Sequence, residues 1–198
     1  MRYPKAIQNL IEKLSALPSV GPKTAERYVF YLLRQSDETL GSLADAIKEL
    51  KIKTTLCSSC RAITENNPCA ICSDDNRLKD IICVVENTQD LLTIEATKQY
   101  SGKYFVLGGL INTINDVKPE DLNIAKLIKR IKDDKIKEII LALNFTLEGE
   151  TTSLYLNKIL KDHLKITHLA KGLPAGSDLE YADETTLASA LKYRNEIK

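Results

Sequence analysis

Four cysteines stand within sixteen residues, as Cys57-Ser58-Ser59-Cys60 and Cys69-Ala70-Ile71-Cys72, and no other feature limits the fold as much. Each CxxC makes a tight knuckle whose sulfurs point to one side, and the eight-residue loop between them lets the second knuckle close over the first. Zinc takes four thiolates at about 2.3 Å, and such a closed site leaves no coordination position for chemistry. The spacing therefore predicts a structural zinc module over residues 54–78. The competing assignment is a pair of disulfides in a secreted domain. Against it, Met1-Arg2-Tyr3-Pro4 runs straight into an amphipathic pattern with no signal peptide, and the composition is lysine-rich. The expectation is a cytoplasmic protein. Cys83, inside Ile81-Ile82-Cys83-Val84-Val85, reads as a buried strand residue rather than a ligand.

A chain of 198 residues buries a good core in one domain or two small ones. Its apolar runs are far too short to span a bilayer, so no membrane partner is expected. The net charge of +1 is uninformative, but its distribution is not. Residues 1–61 carry ten Lys/Arg against six Asp/Glu, whereas residues 62–110 carry four against seven. A basic N-terminal end is compatible with a polyanion partner without establishing one.

The pattern divides the chain in three. Before residue 51 it is helical, with apolar stripes at Ile7, Leu10, Ile11, Leu14, then Ala25, Val29, Leu32, then Leu40, Leu43, Ile47. After the cysteines, short apolar runs at 81–85, 104–107, 139–143 and 166–169 alternate with helical stretches at 89–97, 122–133 and 152–164. That alternation predicts an α/β domain over 79–170, with strands buried on both faces of a mainly parallel sheet. The tail, 171–198, holds a Gly/Pro-rich loop and a helical pattern at 183–193.

Two places carry candidate chemistry. The first two helices are joined by Leu17-Pro18-Ser19-Val20-Gly21-Pro22-Lys23-Thr24-Ala25. Pro18 ends the first helix, Gly21 permits a positive φ, and Pro22 suits a first helical turn. The second helix then starts with free N–H groups, and Lys23 and Arg27 lie on one side of it. Gly21, Lys23, Thr24 and Arg27 thus form a candidate phosphate site that ignores base identity. The alternative is a plain helical connection with solvated cations. Further on, Glu86 follows the first strand of the α/β domain, and Glu148 and Glu150 follow the strand at 139–143. Both strand ends face the crevice where ligands of parallel sheets bind. The three glutamates are candidates for one hard cation such as Mg²⁺. Equally, Glu148 and Glu150 serve as the acidic first turn of a helix starting near Thr151.

The linker from Leu17 to Arg27 resembles a helix-hairpin-helix motif, with Ser19 where the first glycine of Gly-hydrophobic-Gly is expected. Glu86 with Glu148-Gly149-Glu150 is similar to the strand-end Glu and Asp-x-Asp of a Toprim domain. Together with the cysteine quartet and the tail Gly172-Leu173-Pro174 followed by Leu179-Glu180-Tyr181-Ala182-Asp183, the order of motifs closely resembles the RecR family of bacterial recombination mediators. The resemblance implies a non-catalytic DNA repair mediator with a helix-hairpin-helix region at 1–53, zinc module, Toprim-like domain and an assembly segment in the tail. It implies a ring-like homo-oligomer encircling DNA, with Lys23 and Arg27 on phosphates and with RecO and RecF as partners in recombinase loading. The surface around Glu86, Glu148 and Glu150 would then dock partners. The rival from another class is a Mg²⁺-dependent Toprim nuclease or topoisomerase-like enzyme.

Overall fold

The computed structural model describes residues 3–173, 176–194 and 196; Pro174 and Ala175 of the tail motif lie outside it. The chain separates into two compact units, one ending at Thr54 and the other beginning at Thr55.

The first unit holds α1 (Lys5–Ser15), α2 (Pro22–Leu32) and α3 (Asp37–Ile52). The apolar stripes of α1 and α2 pack on each other, and Ala25 and Val29 of α2 are its buried centre. The edge of the Tyr3 ring meets Phe30 at 5.3 Å, and the Tyr3 hydroxyl donates to Glu26, tying the entry of the chain to α2. Ser36 caps α3 by accepting the Thr39 N–H at 3.2 Å, and Asp37 and Glu38 complement its N-terminal dipole. Within the first unit the stripe on α3 stays uncovered, with Ile47 and Leu50 about two-thirds exposed.

The second unit begins with the cysteine segment. β1 (Thr55–Leu56) and β2 (Ile63–Thr64) pair antiparallel around the first knuckle, and the short α4 (Ala70–Ser73) carries the second. A four-stranded parallel sheet follows, in the order β4-β3-β5-β6. Its strands are β3 (Ile81–Val85), β4 (Lys103–Val106), β5 (Glu138–Ala142) and β6 (Lys165–His168). The helices α5 (Thr88–Ala96), α6 (Ile124–Asp133) and α7 (Leu147–Leu160) make the crossovers. β3 and β4 are buried along nearly their whole length, but β6 is an edge strand and stays partly open, so burial on both faces does not extend to it. One core of Ile82, Val84, Phe105, Ile139, Leu127 and Leu156 lies on the face covered by α6 and α7. A second, built from Cys83, Val85, Tyr104 and Leu91, merges with the cysteine module.

The helix α7 starts five residues earlier than its apolar pattern suggests. Thr146 provides the reason: its hydroxyl accepts the Gly149 N–H at 3.2 Å and sets the N-cap. The last helix, α8 (Glu184–Lys192), is capped by Asp183, which accepts the Thr186 N–H at 2.9 Å.

Candidate metal centre, helix start and sheet crevice

The four thiols of Cys57, Cys60, Cys69 and Cys72 lie within 4.8 Å of one another, and the first three residues are buried. Tetrahedral zinc with four sulfurs at about 2.3 Å requires sulfurs roughly 3.8 Å apart. Cys60 Sγ and Cys69 Sγ stand 3.6 Å apart, and the Cys69 N–H donates to Cys57 Sγ at 3.4 Å. The donor set, its spacing and its amide support fit structural zinc, which these four residues would hold. The first knuckle is shaped further by Asn67, whose side-chain oxygen accepts the Ser58 N–H at 2.8 Å. Thiols this close cannot all ionise without a cation among them. Cys72 is drawn down to about 5, chiefly by hydrogen bonding with Cys60 and further by Ser59 and the field of Arg130, while burial opposes it. Cys60 is pushed up, first by that same shared hydrogen bond and then by burial. Cys83, outside the quartet, is raised to about 12 by burial alone, as befits a thiol that only packs.

The module is fixed to the sheet by polar ties. The Val106 N–H donates to the Cys60 carbonyl at 2.8 Å. Arg130, from α6, donates to the carbonyls of Ser59 at 3.2 Å and Tyr104 at 2.8 Å. Lys103, which is only 7% exposed, donates to the carbonyls of Ile71, Cys72 and Asp74 at 3.0, 3.2 and 2.6 Å. Sequence reasoning missed both cations. A lysine heading the buried run Lys103-Tyr104-Phe105-Val106 was the available signal; Arg130 sits among exposed lysines and gave none.

At the start of α2 the left-handed residue is Ser19, with φ of 63°, and Gly21 is extended at −78°. Ser19, at the position where the motif's first glycine is expected, therefore carries the positive φ, and Gly21 does not. Among the described residues, a Cβ on Gly21 would meet nothing within 4 Å, so open space adjoins the helix start. Pro22 occupies the first turn, and among the described residues no side chain caps it. The early N–H groups of a helix lack intrahelical partners. Lys23 and Arg27 are exposed and Thr24 is half-buried; among the described residues, no carboxylate pairs with Lys23 or Arg27.

The structure does not gather the three glutamates. Glu86 and Glu148 line a crevice of about 490 Å³ with Gly108, Gly109, Asn112 and Asp121. Asn144 reaches Glu86 Oε2 from β5's end at 3.4 Å. Glu150 instead lines a separate hollow of about 300 Å³ with Phe145, Ser153 and His168, and its carboxylate binds Lys171 at 2.7 Å. Hydrogen bonding from Lys171, and then its charge, hold the Glu150 carboxyl below its ordinary range. Successive residues of a helix start point in different directions, about 100° apart, so positions 148 and 150 diverge. Both lie in the first turn of α7, as the capping alternative expects. Among the described residues the cysteine quartet is the one group whose ligand atoms converge.

Comparison with known proteins matches each segment. The helix-hairpin-helix family of RecR matches residues 7–51, and the four-cysteine zinc finger family of RecR matches 54–74. The Toprim domain family matches 80–170, and the C-terminal family of RecR matches 172–195. The chain is 50% identical over 198 residues to Recombination protein RecR of Bifidobacterium adolescentis, covering 100% of this chain and 99% of that protein. It is 45% and 44% identical to the proteins of that name from Staphylococcus haemolyticus and Staphylococcus aureus, each over the full length of both chains.

Proposed function

Because the chain belongs to the RecR family of recombination proteins, we propose that it acts as a non-catalytic mediator that holds DNA by its phosphates and works with RecO and RecF in recombinase loading. The observation that carries this reading is the start of α2. There, uncapped N–H groups, two exposed cations and the gap beside Gly21 leave room and charge for a phosphate oxygen. Contacts of this kind position a protein on a duplex or a single strand without reading bases.

The reading as a mediator rather than a nuclease draws support from the division of the glutamates. A metal-dependent phosphodiester cleavage needs carboxylates that converge on the ions clamping the reacting oxygens. Here Glu150 is engaged by Lys171, away from Glu86 and Glu148. Assembly into a homo-oligomer is supported by the first unit, where Leu33, Leu43, Ile47, Leu50 and Ile52 are all between 45% and 79% exposed. An apolar hollow of about 190 Å³ opens among Ile7, Leu10, Val29 and Leu40. Exposed apolar residues of this kind are what an interface between copies would cover.

Supercoiled plasmid incubated with the protein and Mg²⁺ or Mn²⁺, then run before and after deproteinisation, tests the proposal. A salt-sensitive mobility shift that disappears on deproteinisation and leaves intact supercoils is expected. In K23A/R27A the shift is lost while the circular dichroism spectrum stays that of the parent. Nicked product that vanishes on Glu148→Ala establishes an enzyme instead.

A further inference from the structure

The ammonium of Lys103 is buried and donates to three carbonyls, which uses all three of its hydrogens. Carbonyls satisfy its hydrogen bonds but bring no formal charge. Among the described residues, Lys103 forms no direct ion pair; Asp75, whose carboxyl feels its charge, is exposed and held by Lys79 at 2.7 Å. A buried cation without a close, buried counter-charge is disfavoured. Arg130 is in a related position: its side chain is 10% exposed, it reaches the carbonyl of Ser59 in the first knuckle, and Asp134, its one carboxylate partner among the described residues, is half in solvent. Lys103 holds Ile71 and Cys72 of the second knuckle in the same manner. Each CxxC is thus met by one buried cation delivered from the sheet or its covering helix.

We propose that Lys103, with Arg130 as its counterpart on the other knuckle, is the electrostatic partner of the zinc centre and sets how tightly the metal is held. Four thiolates around a dication carry a formal charge of −2, which Lys103 offsets in part, while Arg130 is shared with Asp134. The Lys103 ammonium stands on the carbonyls of Ile71 and Cys72, beside the ligand sulfur of the second knuckle, so metal and Lys103 stabilise each other. The carbonyls that receive Lys103 belong to α4 and the residue after it, so the same contact points the end of that turn at a cation. Lys103 is a positioning residue: its effect on the metal runs through the backbone and field of the knuckle.

The test is transfer of zinc from the full-length loaded protein to a chromogenic chelator. K103M removes charge and donors; K103Q removes the charge and keeps donors; K103R keeps the charge in a bulkier group. Loss of outer partners commonly weakens metal sites by about 10–100-fold. We expect transfer at least tenfold faster for K103M and K103Q, with K103R slower than K103Q. The cobalt-loaded variants should retain the absorption of a four-thiolate site, which separates weakened retention from a rearranged ligand set. Transfer from K103M at the parental rate overturns the proposal. So does K103R releasing metal as fast as K103Q, which leaves only a tether, and that comparison holds even if K103M fails to fold.

Discussion

Ser19 sits at a φ of 63°, a region in which most side chains crowd the following carbonyl at a cost of about 1–2 kcal/mol. Glycine avoids that crowding but loses more freedom on folding, by roughly 0.5–1 kcal/mol. Replacing Ser19 with Gly should therefore stabilise the first unit by about 0.5–1 kcal/mol in urea unfolding. The opposite holds at Gly149. A Cβ there would lie 1.9 Å from the Asn144 carbonyl oxygen, so the start of α7 is seated directly on the chain leaving β5. Gly149→Ala should destabilise by roughly 1–3 kcal/mol, read in the same experiment. Asp183 responds to pH. Hydrogen bonds from Thr185 and Thr186 hold its carboxyl below the usual value of 3.8. A depressed folded-state value means that the cap contributes fully above the unfolded value and is lost as pH falls through the folded one. The chemical shifts of α8 should stay helical down to about pH 4 and lose that character below it.

At the scale of elements, the cysteine module and the start of α2 illustrate two kinds of dependence. The module has two-residue strands and a four-residue helix, too little secondary structure to stand by itself. In such knuckles metal-binding free energy is folding free energy. Chelation, or Cys57→Ser, should lower the melting temperature by about 10 °C or more, measured by calorimetry. The start of α2, by contrast, leaves space that folding does not require. Gly21→Ala should leave the melting temperature unchanged and weaken DNA retention by filling the gap where an oxygen would approach. These elements were legible in the sequence because each rests on local chemistry: thiol spacing, a proline in the first turn, apolar runs of strand length. What was not legible depends on contacts distant in the chain. The partial exposure of β6 follows from its place at the end of the sheet order, which its residues do not encode. Likewise the parting of Glu148 and Glu150 follows from an N-cap at Thr146 and from Lys171, a partner twenty-one residues away.

For the whole molecule, a net charge of +1 supplies little bulk attraction to a polyanion, so the proposed hold on DNA rests on local clusters. Each phosphate neutralised contributes a slope of about −0.9 to the dependence of log affinity on log salt. The slope should be shallower in K23A than in the parent by about one unit per bound protomer, whatever the DNA sequence. If several protomers act together, retention of long DNA should exceed that of a short oligonucleotide by orders of magnitude, and diluting to monomer should abolish the difference. The placement of the cysteine module has a further effect. It lies along β4, one of the sheet's two outer strands, and the bond from Val106 to Cys60 occupies that border. An uncovered outer strand is a template for self-association. Oxidants that attack the thiolates would thus do more than release zinc: they would unmask a sticky seam, turning a chemical insult into precipitation. Light scattering should rise after peroxide treatment and stay flat in samples protected by excess reductant and zinc.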